Sequence, residues 1–242
     1  MSENCIQEAI TLDKFIGQTK AVDLLKTAIQ SSKLRNETLG HILITGDRGS
    51  GKHTLSEAIS LEMEMPVRST SFYAVKTASD LAAVLTNIGE SDILLIDNFE
   101  LINKECIELL SSAMDEFSID IVIGKGPSSR SIKLPLPQFT LIALSEDYEQ
   151  IPKKIRSCFS IKVNFIEYTS NELVQLIFMN ATQMNVKIDP KAAEILAEHA
   201  RGSYRVITHS IKRARDFALI KNNGLISEDI ATEVIDLMGS YD

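Results

Sequence analysis

Residues 42–54 read ILITGDRGSGKHT, and this stretch decides the fold. A short apolar run leads into a loop that contains Gly46, Gly49 and Gly51, and the segment after Lys52 can form a helix. In the pattern G-x-x-x-x-G-K-[ST], backbone N–H groups surround phosphates, the lysine contacts the β- and γ-phosphates, and the final hydroxyl binds Mg²⁺. The helix adds the positive end of its dipole. The sequence therefore predicts a strand, a phosphate-binding loop and a helix, and disfavours an ordinary glycine turn.

The last position of this pattern carries His53 instead of serine or threonine. Mg²⁺ prefers oxygen ligands, and a neutral imidazole is a poor replacement for a hydroxyl. Either His53 lies within the site, or it points away while Thr54 or water molecules complete the shell of the metal ion. The sequence thus predicts nucleotide binding by the loop, with His53 and Thr54 at its end, and leaves the reaction open.

The composition is that of a globular protein, with 44% hydrophobic and 24% charged residues among 242. A formal charge of −8 excludes the net basic character expected of an autonomous nucleic-acid-binding domain. No apolar run approaches membrane-spanning length and the first residues lack a signal sequence, so we expect a cytoplasmic protein without membrane contact. Cys5, Cys106 and Cys158 are odd in number and widely separated, which favours neither disulfides nor a zinc site.

Strands and helices alternate over the first two thirds of the chain, which is typical of an α/β fold with a parallel sheet. The predicted helices cover residues 18–34, 54–64, 80–88 and 104–117, and the predicted strands cover residues 42–45, 93–97, 139–144 and 161–165. Ser79 is the expected cap of the third helix. Two short strands, 119–123 and 130–134, flank a glycine-containing turn and predict a hairpin at about residues 118–135.

The periodicity becomes helical after Tyr168. Thr169 with Glu172 forms a capping-box pattern, and three further helices are predicted to start after Asp189, at Tyr204 and after Ser227. We therefore expect two domains: a nucleotide-binding α/β domain over residues 1–167 and a small helical domain over residues 168–242.

Asp97 ends the apolar run 93–97, where a central parallel strand would deliver a carboxylate to the carboxyl edge of the sheet. A P-loop enzyme needs such an acid to hold Mg²⁺, so Asp97 is the predicted Walker B aspartate and metal-binding residue. Many ATPases of this layout carry a glutamate at the next position, but this chain has Asn98. An amide cannot accept a proton as a general base, although it can position water. Glu100 is a possible substitute, but the sequence does not fix its direction.

Four stretches closely resemble the RuvB family, the AAA+ motors of Holliday-junction branch migration. They are LDKFIGQ at residues 12–18, DLAAVLTN at 80–87, AMDEF at 113–117 and DIVIGKGPSSRSI at 120–132. The resemblance covers nearly the whole chain. It implies an α/β AAA+ P-loop NTPase core followed by a small helical lid, an oligomeric ring that is hexameric in the family, and ATP with Mg²⁺ between subunits. It also implies a role in DNA recombination and repair with a RuvA-like partner.

The same resemblance implies roles for individual residues. Arg156 falls at the arginine finger that reaches a neighbour's γ-phosphate, and Arg205 falls in the sensor 2 motif that contacts the nucleotide. A guanidinium suits both tasks because its fixed fork pairs with phosphate oxygens; either arginine could instead form a surface salt bridge. The hairpin isoleucines either contact the partner or face the protein's own core, and they are Ile119, Ile121, Ile123 and Ile132.

Several positions depart from the family pattern. His53 replaces the threonine, Asn98 replaces the Walker B glutamate, and Ser145 with Glu146 replaces the sensor 1 threonine pair. The chain also stops at Asp242, about where the winged-helix DNA-binding domain of the family begins, so we expect that domain to be absent and contact with DNA to be indirect.

These observations favour an ATP-binding RuvB-like motor subunit for branch migration. An alternative is a hydrolysis-deficient, nucleotide-binding adaptor or ring subunit, which the replaced catalytic positions favour. A clamp-loader-like subunit is a third reading, favoured by the sequence around Arg156 and opposed by the hairpin. The resemblance favours an ATP-dependent DNA motor with ATPase activity, whereas the replaced threonine and Walker B glutamate argue against efficient hydrolysis.

Overall fold

The computed structural model describes residues 10–123 and 130–239, which divide into two compact units. The α/β unit contains residues 20–47 and 52–165, with the gap at 124–129. The helical unit contains residues 166–239 and also includes residues 10–19 and 48–51, which the expected division at residue 167 assigns to the other domain. No helix within the described part of the chain has the length and apolar character needed to cross a membrane.

The α/β unit contains the predicted helices and strands in their predicted order, with the strand Val67–Ser71 and the helix Lys153–Ser157 in addition. Its elements are α1 Thr19–Arg35, β1 Ile42–Thr45, α2 Lys52–Met63, β2 Val67–Ser71, α3 Ala78–Thr86, β3 Ile93–Asp97, α4 Lys104–Glu116, β4 Ser118–Ile123, β5 Arg130–Pro135, β6 Thr140–Ser145, α5 Lys153–Ser157 and β7 Ile161–Asn164. Five strands form one parallel sheet in the order β2-β3-β6-β1-β7. The predicted α/β class with a parallel sheet is confirmed.

The sheet brings three functional segments to one edge. β1 and β6 are buried along their whole length, and β3 is buried up to Asp97. In the register, Thr45 is opposite Ser145 and Ile96 is opposite Ala143. Since all three strands are parallel, the residues that follow them lie at the same carboxyl edge, where open α/β sheets bind ligands.

Edge strand β2 and helix α3 differ from the expectations. The sequence VRSTS of β2 pairs with β3 alone and is mostly exposed, so it lacks the apolar run from which the other strands were predicted. The predicted cap at Ser79 is wrong. Thr77 caps the helix instead, because its Oγ accepts from Asp80 N–H while Asp80 Oδ2 accepts from Thr77 N–H, a capping box.

The loop after β3 is anchored by Phe99, which is fully buried. Its ring packs edge-to-face with the rings of Phe72 and Phe159, with ring centroids 5.6 Å and 5.4 Å away. Such aromatic pairs contribute beyond the apolar area that they bury. The flanking residues Asn98 and Glu100 therefore start from a fixed backbone.

The predicted hairpin is present as the antiparallel pair β4 and β5, with Ser118 opposite Pro135 and Ile121 opposite Ile132. The predicted turn between the two strands falls on residues 124–129 and lies outside the described residues.

The helical unit contains the four predicted helices and two short strands. Its elements are α6 Ser170–Gln183, β8 Lys187–Ile188, α7 Pro190–Ala200, α8 Tyr204–Lys221, β9 Leu225–Ile226 and α9 Glu228–Met238. The capping box of Thr169 and Glu172 is confirmed at the start of α6. The parallel pair β8 and β9 was not predicted, because two residues are too few for a strand periodicity.

Candidate nucleotide-binding site

Lys52 is the first residue of α2 and is almost completely buried. Its Nζ donates hydrogen bonds to the carbonyl oxygens of Gly46 and, at 2.9 Å, of Asp47. Burial lowers the pKa of Lys52, while the nearby carboxylates of Glu146, Asp97 and Glu100 oppose that shift. A partly desolvated ammonium group at a helix start is the cationic centre that a phosphate site needs.

Gly49 lies in the part of the loop that belongs to the helical unit, where it touches the first turn of α8. Its carbonyl oxygen accepts from Arg205 N–H at 3.2 Å. Its φ is +79°, and a Cβ at this position would lie 2.5 Å from Arg205 Cβ. Only glycine fits both this backbone conformation and the close contact with Arg205. The predicted nucleotide-binding Arg205 is thus held beside the loop by its backbone, and its side chain is exposed.

Ser50 supplies an observation that sequence reasoning missed. Its Oγ is buried and has no hydrogen-bond partner among the described residues. Its carbonyl oxygen accepts from the hydroxyl of Tyr168 at 2.8 Å. Buried hydroxyls normally have partners, and a phosphate oxygen bound in the loop would provide one. The loop residues therefore fit a nucleotide phosphate.

His53 points toward the end of β3, so the alternative that it points away does not describe this structure. Its Nε2 lies 3.0 Å from Asp97 Oδ2, with the histidine side chain 58% exposed. A carboxylate accepts only, so Nε2 carries the hydrogen of this bond. Thr54, the next candidate for the metal shell, follows in the same first turn of α2 and is half-buried.

Asp97 is held on both oxygens. Its Oδ1 accepts from the backbone N–H of Asn98 at 2.8 Å, and its Oδ2 is bonded to His53. Asn98 itself has φ +52°, a left-handed conformation that asparagine tolerates better than most residues. The acid therefore lies where the sequence placed it, but its bond to His53 is a feature that the family pattern did not imply.

Glu100, whose direction the sequence did not fix, points into the site. Its Oε2 accepts from the backbone N–H of Glu146, 46 residues away, at 3.3 Å. Next to Glu146, Ser145 is buried, and its Oγ donates to Asp147 O at 3.1 Å. The edge of the sheet thus collects the carboxylates of Asp97, Glu100 and Glu146 near Lys52, which is a strongly cation-attracting arrangement.

Arg156 does not project from the protein in this structure. It is 8% exposed, and its guanidinium lies over the ring of Tyr148, 4.5 Å from the centroid. Nη1 donates to Tyr148 O and to Glu149 Oε2, both at 3.2 Å. The arginine-finger role stays a prediction, and it requires the guanidinium to leave these partners. The salt-bridge alternative describes the structure as it stands.

The hairpin isoleucines separate into two groups. Ile119 is fully buried in the core of the α/β unit, so the expectation of a partner contact is wrong at this position and the core alternative holds. Ile121 is partly buried against the same core. Ile132 is 50% exposed and nearby Leu134 is 36% exposed. The side chain of Ile123 lies outside the described side chains.

The arrangement fits a nucleotide better than it fits Mg²⁺. Lys52 in the α/β unit suits phosphate oxygens, and so does the orphaned Ser50 hydroxyl in the helical unit. The metal side differs, because an imidazole occupies the position of the hydroxyl and is bonded to Asp97. The described residues include no group of three His, Cys, Asp or Glu side chains that could hold a metal ion without other ligands.

The parallel sheet, the phosphate-binding loop before α2 and the acid at the end of β3 define a P-loop nucleotide-binding protein of the AAA+ type with a helical lid. The family "Holliday junction DNA helicase RuvB P-loop domain" matches residues 8–165, and the "RuvB AAA lid domain" matches residues 168–239. The chain belongs to the RuvB family.

Similar proteins agree with this assignment. The Holliday junction branch migration complex subunit RuvB of Kosmotoga olearia is 39% identical over 228 residues, which cover 94% of this chain and 67% of that protein. A point mutant of Thermotoga maritima RuvB matches with a TM-score of 0.87 at 32% identity. The match covers 95% of this chain and 73% of the T. maritima chain. The T. maritima RuvB Holliday junction branch migration motor has a TM-score of 0.85 at 30% identity, with coverage of 97% and 73%.

Proposed function

We propose that this protein is an ATP-binding AAA+ subunit that acts in Holliday-junction branch migration, and thereby in DNA recombination and repair. The names of its relatives support this function, since they describe a branch migration complex subunit and a branch migration motor. The observation that carries the proposal in this chain is Lys52, buried at the start of α2 and bonded to the carbonyls of its own loop.

Each residue of the candidate site has a separate role in the proposed function. ATP supplies the phosphoanhydride bond whose cleavage drives an AAA+ motor. Lys52 and the loop N–H groups bind and orient its phosphates. Asp97 would hold a divalent cation at the carboxyl edge of the sheet, and Glu100 would be the carboxylate beside it that takes up a proton. The resemblance to RuvB assigns nucleotide contact to Arg205 in the first turn of α8, and a guanidinium suits this role because it pairs with phosphate oxygens.

The assembly is part of the same proposal. Oligomeric rings, hexameric in the family, and a RuvA-like protein that docks on the hairpin would carry the motor to a DNA junction. Ile132 and Leu134 support the docking, because both are exposed apolar side chains on β5. The charge of −8 supports indirect contact with DNA, and a cytoplasmic location is part of the proposal.

A second function is favoured by a specific observation. His53 bonded to Asp97, together with Asn98 in place of the Walker B glutamate, favours a subunit that binds the nucleotide but hydrolyses it slowly. Such a subunit would occupy ring positions or hold a partner through the hairpin. The clamp-loader-like reading is set aside, because the hairpin and both family matches favour RuvB.

Two measurements on the purified chain test these proposals. Titration with a fluorescent ADP analogue should show binding to the wild-type protein and much weaker binding to Lys52→Ala. Steady-state ATP turnover is then measured with and without junction DNA and a RuvA-like partner. Turnover above the Lys52→Ala control supports the motor, whereas binding without such turnover supports the hydrolysis-deficient subunit. Absence of nucleotide binding would contradict both.

A further inference from the structure

We propose that His53 and Asp97 form a cation subsite that selects Mn²⁺ over Mg²⁺ when a nucleotide is bound. This inference rests on the proposed nucleotide binding, since the two side chains supply only part of a coordination shell and phosphate oxygens must supply more. It goes beyond the family pattern, in which a hydroxyl stands at position 53.

The spacing of the two ligand atoms supports the subsite. His53 Nε2 and Asp97 Oδ2 are 3.0 Å apart. Two neighbouring ligands of an octahedral ion, each about 2.1 Å from the metal, are separated by about 3.0 Å. A cation at this distance from both atoms lies beside the line that joins them, so the imidazole ring has to rotate to direct its lone pair at the ion while the two ligand atoms keep their separation.

The proton balance of this exchange is simple. The hydrogen on Nε2 must leave before that nitrogen can donate its lone pair to a cation, and a neutral imidazole carries one hydrogen on either ring nitrogen. His53 is 58% exposed, so solvent water can take the hydrogen from Nε2 and return one to Nδ1. No other reactant is needed.

Asp97 is prepared for the second ligand position by its neighbour. The backbone N–H of Asn98 holds Oδ1 at 2.8 Å, which leaves Oδ2 directed at His53. Hydrogen bonds of this kind fix the orientation of metal-binding carboxylates. Asp97 Oδ2 is therefore already oriented as a metal ligand by the hydrogen bond to Oδ1.

The chemistry of the pair decides which cation it prefers. Carboxylate and phosphate oxygens suit both Mg²⁺ and Mn²⁺, whereas an imidazole nitrogen serves Mg²⁺ poorly and binds divalent transition metals, of which Mn²⁺ binds it most weakly. The carboxylates of Glu100 and Glu146 add negative potential beside the site and favour a divalent ion of either kind. The selection thus comes from His53 alone, and a threonine at this position should remove it.

The experiment compares wild-type protein with His53→Thr and with the control His209→Thr, which removes an exposed histidine on α8. Affinity for a fluorescent ADP analogue is measured with Mg²⁺, with Mn²⁺ and with EDTA. Pulsed electron paramagnetic resonance of the Mn²⁺–ADP complex then reports whether an imidazole nitrogen is bonded to the ion.

We expect wild-type protein and His209→Thr to bind ADP at least about tenfold more tightly with Mn²⁺ than with Mg²⁺, a change of the size that alterations around metal ligands produce. Both should show nitrogen coupling to Mn²⁺. His53→Thr should lose the coupling and most of the preference for Mn²⁺.

Bound Mn²⁺–ADP without nitrogen coupling in the wild type, or ADP affinity independent of any metal, would overturn the inference and leave nucleotide binding intact. No ADP binding under any condition would overturn nucleotide binding as well. The wild-type spectrum decides the question even if His53→Thr fails to fold.

Discussion

His53 Nε2 lies 3.0 Å from Asp97 Oδ2, so the side chain that replaces the expected hydroxyl is bonded to the acid that follows the central strand. The substitution at position 53 and the acid at position 97 therefore form one unit, although 44 residues separate them. A change at either residue alters the surroundings of the other, and the two should not behave additively in variants.

Asn98→Glu should raise ATP turnover. A carboxylate at this position can accept a proton from water, which an amide cannot, and general-base groups contribute about 10²–10⁴-fold to rates. Because position 98 has φ +52°, glutamate should also cost about 1–2 kcal/mol of stability. Steady-state turnover and urea unfolding measure the two effects. The double variant with Lys52→Ala is the control and should be inactive; an unchanged rate in Asn98→Glu would mean that another group already serves as the base.

Gly49→Ala should destabilise the helical unit more than Gly202→Ala does. Both glycines have positive φ, so both substitutions should lose about 1 kcal/mol through backbone strain. Only the Cβ at position 49 meets another residue, Arg205 Cβ at 2.5 Å, whereas nothing lies within 4 Å of a Cβ at position 202. Thermal unfolding compares the stabilities, and ADP titration should show weaker binding for Gly49→Ala alone. Equal losses of stability in the two variants would show that Arg205 can move away from the added Cβ at no cost.

The hairpin offers a matched pair of substitutions. Ile132→Ala should weaken the binding of a RuvA-like partner by about 1–2 kcal/mol while stability changes little, because Ile132 is half-exposed. Ile119→Ala should do the opposite and cost about 2–5 kcal/mol of stability, because Ile119 is fully buried. Partner titration by calorimetry and urea unfolding separate the two outcomes. Unchanged partner binding in Ile132→Ala would remove this side chain from the proposed docking surface.

His41 should make the α/β unit less stable in mild acid. Its Nδ1 accepts from Leu141 N–H at 2.9 Å and its Nε2 lies 3.2 Å from Met114 O, so the folded protein holds a neutral ring. Burial lowers the pKa of His41 below its usual value, and the bond to Met114 opposes the shift only in part. The unfolded chain therefore binds a proton first as the pH falls, and the free energy of unfolding decreases below about pH 6.5.

Urea unfolding at about pH 7.5 and about pH 5.5, the range in which histidine titrates, measures this effect. His41→Gln is the comparison, because glutamine can keep a donor and an acceptor but does not titrate. The variant should be less stable at the higher pH and should lose less stability at the lower pH than the wild type. The same loss in both proteins would assign the pH dependence to other groups.

The parts of the fold that follow from local pattern could be predicted from the sequence. The buried runs of β1 and β3 and the helix periodicity of α6 to α9 are such parts, since burial on both faces produces continuous apolar runs in parallel strands. Edge strand β2 was missed because its exposed residues follow no pattern. The five-residue helix α5 is too short to show a period.

The candidate site divides in the same way. Lys52 and Asp97 could be placed from their motifs, because a loop before a helix and a strand end fix their positions. Two contacts could not be predicted, because their residues meet only in the folded chain. They are the hydrogen bond that Glu146 N–H donates to Glu100 and the packing of Arg156 on Tyr148. His53 was recognised as a departure, but only the structure shows that it bonds to Asp97.

Phe99 allows its neighbours in sequence to change during evolution while the path of the loop after β3 stays the same. Its buried ring, packed between Phe72 and Phe159, fixes the backbone from within, while the backbone N–H of Asn98 bonds Asp97 and the carboxylate of Glu100 accepts from Glu146 N–H. Single substitutions at positions 98 and 100 can therefore change the chemistry without changing the path of the chain. A lineage that keeps Phe99 can therefore change positions 98 and 100 one codon at a time while the path of the loop is inherited unaltered.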